Sequence, residues 1–343
     1  MAGTEPPRRS PQPRAVTNNE GRAMPLAPPT LAPPTLTTPT LGYDLTLLKT
    51  EPPRGTEHDH GWCYGLPPGI RTEQWPLSPH DGFPMQHCFT LRIPVQYRTR
   101  GDAYVALAMF ADQQYDEPDE IDAVAQYLAA ETIERPADRH LLPYFAYRQN
   151  RHPMEFRMKD IIDHNFAAIW LTDAEFMGPL CRPLELTGNP LLEANAPPRW
   201  LEKGAARTAF DAQVGRTTSV DELEKRYWYR LFGRVPETGH HAYGIALAPR
   251  DGDPNVGKPP RDHLLHKGAL GDYIAPYGED GKARGLERLH GRNHLGGTMF
   301  PNQWTPKYSA TYLEIEEHFG GFNFGGGNGQ LDLASMEFDW ACG

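Results

Sequence analysis

The sequence predicts an α+β fold: two related antiparallel β units with intervening helices, arranged as an internal duplication. Three observations carry that expectation. Short alternating or continuous apolar segments, each bounded by Gly, Pro or polar residues, recur along the chain as strands do. Two stretches carry apolar residues at helical spacing instead. Finally, Phe83-Pro-Met-Gln86 is echoed by Phe300-Pro-Asn-Gln303, and Gly101-Asp-Ala-Tyr-Val-Ala-Leu-Ala108 by Gly327-Asn-Gly-Gln-Leu-Asp-Leu-Ala334, in the same order.

The organised body is expected over 42–343, with approximate halves 42–200 and 201–343. Residues 1–41 are Pro, Thr, Ala and Arg with almost no aromatic side chain, and Leu26-Ala-Pro-Pro-Thr30 is repeated at once as Leu31-Ala-Pro-Pro-Thr35. Proline removes backbone donors and favours polyproline II, so this segment predicts a disordered tail, a linker, or a start upstream of Met24.

The first strand is expected at Tyr43–Leu48, where Leu45 and Leu47 alternate with polar neighbours. Phe89–Pro94 and Tyr104–Phe110 predict neighbouring strands of one sheet across a polar turn. Pro118 followed by Ile121, Val124, Leu128 and Ile133 predicts a helix, its acids suiting the positive end of the dipole. Phe166–Leu171 reads as a buried strand. A second helix is signalled by the capping box Ser219-Val-Asp-Glu222, with Leu223, Tyr227 and Leu231 on one face and Gly233 at its end. Tyr243–Ala248, Thr311–Glu316 and Gln330–Met336 complete the strands. Residues 249–262 predict a surface loop, and Gly320–Gly329 a hairpin with a mobile glycine-rich tip.

Composition narrows the function. The formal net charge is −10 and no Lys/Arg stripe is visible, which disfavours binding a polyanion, so no nucleic-acid partner is expected. No apolar run approaches the roughly 20 residues that span a bilayer, and no signal-peptide core is seen, so the expected address is cytoplasmic, without membrane association. Cys63, Cys88, Cys181 and Cys342 lack a zinc-ligand cadence and read as reduced thiols. No Gly-x-Ser-x-Gly elbow is present, and His87 beside Cys88 points to the opposite strand face, so no catalytic residue is assigned. The Gly320–Gly329 run lacks the Lys and the following helix that a phosphate loop needs. No cofactor is expected.

Histidines invite a metal reading. The least implausible ligand set is His290 and His294 with Asp272 or Glu287, although Gly291 and Gly296-Gly297 make the His290–His294 stretch a loop. The plainer expectation is that His294 is a turn residue bonding backbone near Gly296.

The pattern resembles the YwqG-like domain of unknown function. Gly82-Phe-Pro84 matches its first element, and His294-Leu-Gly-Gly297 through Phe300-Pro-Asn-Gln303 its second. Leu313-Glu-Ile-Glu316, Gly325–Gly329 and Phe338-Asp-Trp340 match the later parts. The resemblance runs in short pieces from Pro76 to Gly343; Asn323 and Asn328 stand where the family carries aspartate, and Glu131–Asp262 has no counterpart. It implies a duplicated α+β body whose members include proteins read as antitoxins of bacterial polymorphic toxin systems, and it brings no catalytic residues. The candidate binding residues are His294, Gln303, Asn323, Asn328 and Asp332. Three functions are therefore expected in order: a non-catalytic immunity protein neutralising a toxin partner, a metal-dependent hydrolase using the His290/His294 loop, and a secreted effector with an N-terminal adaptor tail.

Overall fold

The computed structural model describes residues 37–342 apart from 49, 51, 113–119, 161, 194, 199, 202–241 and 262–271. Residues 1–36 of the expected tail and the helix expected after Ser219 lie outside the described residues, whereas the end of that tail is held to the body, the Thr40 amide donating to Gln96 Oε1 at 2.6 Å and the Leu41 carbonyl accepting from Tyr97 Oη at 2.9 Å. Among the described residues eleven strands join in one sheet: β1 Tyr43–Leu47, β2 Gly61–Cys63, β3 Gln86–Arg92, β4 Tyr104–Ala111, β5 Glu155–Lys159, β6 Asn165–Thr172, β7 Tyr243–Pro249, β8 Asn293–Leu295, β9 Tyr312–Glu316, β10 Asn328–Asp332 and β11 Phe338–Ala341. Among the described residues the helices are few and short: α1 Asp122–Ala129, α2 Leu142–Asn150, α3 Asp173–Phe176 and α4 Glu279–Ala283. Both α and β structure are present, and the sheet dominates.

The strand order is β11-β10-β9-β8-β1-β7-β2-β3-β4-β6-β5, and every neighbouring pair is antiparallel. The strands that the sequence assigned to two β units thus all belong to a single sheet. From the central pair β1 and β7, four strands lead away on the β1 side and five on the β7 side. The sheet curls into a nearly closed barrel, bringing the ends together: the rings of Phe166 on β6 and Phe338 on β11 lie 4.4 Å apart.

The period of two along each strand sets what fills the barrel. Leu45, Cys63, Phe89, Leu91, Leu107, Met109, Phe166, Ala168, Trp170, Ile245, Leu295, Leu313, Ile315, Leu331 and Phe338 share one buried interior cluster. The other face of β2, β4 and β6 is apolar too: Trp62, Ala106, Phe110, Ile169 and Leu171 pack with Trp75, Phe176 and Trp200. Strands covered on both sides read as continuous apolar runs, which is why β4 and β6 were legible in the sequence.

The Gly320–Gly329 hairpin departs from expectation. It does not project as a mobile tip, because Phe319, Phe322 and Phe324 turn into the barrel and are buried against Phe89 and Phe338. Glycine is required at Gly320, with φ at 110°, where a Cβ would sit 2.9 Å from the Cβ of Cys88. Glu317 accepts the amides of Phe324 and Gly326 at 2.7 and 2.8 Å, satisfying backbone groups that the turn leaves without a ladder partner. Other differences are shorter elements. Helix α1 ends at Ala129, leaving Ile133 exposed, and β2, β5, β8, β11 and α2 had too few residues or too little periodicity to be foreseen. Helix α3 starts on a capping box in which Thr172 and Glu175 satisfy one another's amides.

Candidate functional site

The outer face of β1, β8, β9, β10 and β11 carries one polar residue per strand in a single transverse row. Cross-strand register places Asp44 opposite His294, His294 opposite Glu314, Glu314 opposite Gln330, and Gln330 opposite Asp339. Residues directly opposite one another are close enough for their side chains to interact. His294 Nε2 lies 3.0 Å from Glu314 Oε1, and Gln330 Nε2 donates to Glu314 Oε2 at 3.4 Å and to Asn328 Oδ1 at 3.0 Å. At the far end Asp44 accepts from Arg250 Nε at 2.7 Å and Arg292 Nη1 at 2.8 Å.

His294 was expected in a loop. It lies in β8 instead, and the short strand forms because β1 and β9 flank it on both sides. The expected backbone bond is present, with Nδ1 2.8 Å from the Gly296 carbonyl. Both ring nitrogens therefore face oxygen atoms, the Gly296 carbonyl on one side and the Glu314 carboxylate on the other. His294 is 0% and Glu314 1% exposed.

What this row does is visible in the segment laid over it. Tyr97 and Tyr312 donate to the carbonyls of Leu295 and Gly297 at 3.2 and 3.0 Å, and Asp253 accepts the Thr298 amide at 2.7 Å. The Met299 amide donates to Tyr273 Oη at 3.1 Å, the Phe300 amide to Glu314 Oε2 at 2.9 Å, and Asn328 Nδ2 donates to the Phe300 carbonyl at 2.8 Å. A loop with no ladder of its own is thus held by side chains from β9 and β10 and from the neighbouring turns that carry Tyr97, Asp253 and Tyr273. Burial pushes the Tyr273 and Tyr312 hydroxyls far above their usual range, with Glu314 and Asp253 adding to it, so both remain neutral hydroxyls.

From this clamped root the chain emerges at Pro301. Asn302 rests on Asn328, Gln303 Nε2 reaches the Cys342 carbonyl at 3.3 Å, and Trp304 stands out 62% exposed. Tyr277 and His290 meet the buried ring of Phe300 edge-on, with centroids 5.8 and 5.6 Å away. Glu316, one register step from Glu314, is partly exposed; burial and the charges of Glu314 and Glu317 push its carboxyl up to about 7.

Of the candidate binding residues, His294 and Asn328 join this network directly. Gln303 lies on the exposed loop beyond it. Asp332 does different work, accepting from Ser309 Oγ at 2.6 Å and the Ser309 amide at 3.0 Å. Asn323 sits in the hairpin whose phenylalanines fill the barrel. The proposed metal ligands are not brought together: Asp272 is paired with Lys258, Glu287 is exposed, and among the described residues no three of His, Cys, Asp and Glu form a metal-holding group. Glu314, Gln330 and Asp44 were missed. Their signal was the polar residue at an inner position of each predicted strand, unreadable without the register.

Compared with known proteins, the chain matches no family model, no curated protein and no solved structure. Among the described residues no helix is long and apolar enough to cross a membrane.

Proposed function

We propose that the chain is a non-catalytic protein-binding module that presents the segment Pro301–Thr305, with Trp304 as its anchor, to a protein partner. The observation that carries this reading is a largely exposed aromatic on a segment whose root, Phe300, is clamped at both its amide and its carbonyl. Rigid, exposed aromatics give large contact area at low entropic loss and dominate interface energetics. The buried His294–Glu314 pair serves to position this loop, since neither group reaches solvent. Net charge of −10 suits a basic partner. With the YwqG-like resemblance, this supports a cytoplasmic immunity protein masking a toxin.

The duplication belongs to the same reading. Counted outward from the central pair, β3 and β9 are each third, and β4 and β10 each fourth. These are the strands that the two matched motifs enter. The order is that of two repeated units whose first strands have changed places, so that β1 pairs with β8 and β7 with β2. Superposition of the two halves should place Phe83 on Phe300 and Gly101 on Gly327; a shift of register would sink the duplication.

Co-purification with the protein encoded beside it tests the function. Trp304→Ala is expected to abolish capture and protection against toxicity while leaving the thermal midpoint unchanged. Full protection by the variant would overturn the assignment.

A further inference from the structure

Among the described residues the barrel has an odd number of strands. Eleven strands in strict antiparallel succession leave the two edge strands, β5 and β11, running in the same direction. They cannot close on one another by the antiparallel pairing used everywhere else in the sheet. One further strand between them, antiparallel to both, completes a twelve-strand closed barrel and removes both edges.

The seam between these edges is bridged by side chains. Trp340 Nε1 donates to Asp160 Oδ2, the His164 ring stacks on Trp340 with centroids 6.0 Å apart, and Phe338 meets Phe166. The Trp340 amide is held by the neighbouring carboxylate, Asp339 Oδ1, at 2.9 Å, a local way of satisfying an edge group. On the inner side the seam is lined by Phe156, Met158 and Phe338, all packed on the interior cluster. On the outer side stand Arg157, Lys159 and Asp339.

We propose that the seam between β5 and β11 is a strand-accepting slot that takes one extended peptide segment of a partner protein, paired on both sides and apolar at alternate positions. This rests on the binding-module reading and names a partner element for it. The occupant follows from the pairing geometry. A folded second copy can offer only the edge of a sheet, whose edge strand already spends one side on its own neighbour, so it cannot bond to β5 and β11 together. A single extended segment can. Its inward side chains meet Phe156, Met158 and Phe338, and Trp340 is the latch it displaces. Strand spacing of about 4.8 Å means that the guest holds β5 and β11 roughly 10 Å apart.

The test uses the full chain and a fluorescein-labelled seven-residue peptide of alternating valine and threonine, with two versions N-methylated on one or the other set of alternate amides. The unmodified peptide is expected to bind and to slow hydrogen exchange of Glu155–Lys159 and Phe338–Ala341 together. Each N-methylated version should bind at least tenfold more weakly, and Trp340→Phe, lacking the latch donor, severalfold more tightly.

No binding at millimolar peptide would overturn the slot. So would loss with only one N-methylated set, which marks one-sided edge pairing, or slow exchange at both edges before peptide is added, which marks a segment of the chain itself in place. Because Trp304 lies outside the seam, failure of the peptide with partner capture still dependent on Trp304 rejects the slot alone. Success with capture indifferent to Trp304→Ala rejects the loop alone.

Discussion

His294 and Glu314 stand directly opposite one another on β8 and β9, 3.0 Å apart, with neither reached by solvent. Glu314 also receives the Phe300 amide, so one carboxylate ties two strands and the covering loop together.

Glu314→Ala leaves the buried Nε2 of His294 and the buried Phe300 amide without the carboxylate that pairs them. Breaking a buried, hydrogen-bonded pair by removing one partner costs about 3–5 kcal/mol. Urea denaturation should show a loss of that size, larger than for exposed Glu287→Ala. An equal, small effect of both substitutions would mean that the row is not holding the loop.

The Glu316 carboxyl, raised to about 7 from an ordinary value of 4.5, binds its proton more tightly in the folded state than in the unfolded one. Between those values the folded state therefore holds the extra proton, and stability contributed by this group is present at lower pH and lost as pH rises through about 7. His318 acts in the opposite sense: burial lowers it to about 4, so its contribution grows as pH rises from about 4 toward 6.5. Glu316→Gln should gain stability relative to the parent on going from pH 5 to pH 8, by on the order of 2 kcal/mol. A pH-independent difference between the two proteins would contradict this.

Two glycines of one hairpin separate steric clash from backbone strain. Gly320 and Gly326 both have positive φ, 110° and 86°, but only at Gly320 would a Cβ meet the core, at Cys88 and Phe89. Gly326→Ala should cost about 1 kcal/mol from conformation alone. Gly320→Ala should cost well beyond that, read by thermal unfolding.

Phe319, fully buried against Phe89, is the sharpest probe of the hairpin's inward turn. Phe319→Ala is expected to cost about 3–5 kcal/mol, as for large core truncations. A change below about 1 kcal/mol would place the hairpin outside the barrel.

How much was legible follows from the range of the interactions. Tyr104–Ala111 and Asn165–Thr172 were readable because two apolar faces leave an uninterrupted apolar run. The His294–Gly296 contact was readable because its partners are two residues apart. Strand β8 was not, since three residues carry no period and it exists only between β1 and β9.

The sequence by itself determined where most long strands lie and which of their side chains share a face, because a period of two is written residue by residue. Only the tertiary structure decided that Asp44, His294, Glu314, Gln330 and Asp339 form one row. It also decided that Phe319, Phe322 and Phe324 fill the barrel, and that β1 and β7 pair across the middle. Those outcomes depend on register between segments far apart in the chain, and a one-residue slip there would send each of these side chains to the opposite face.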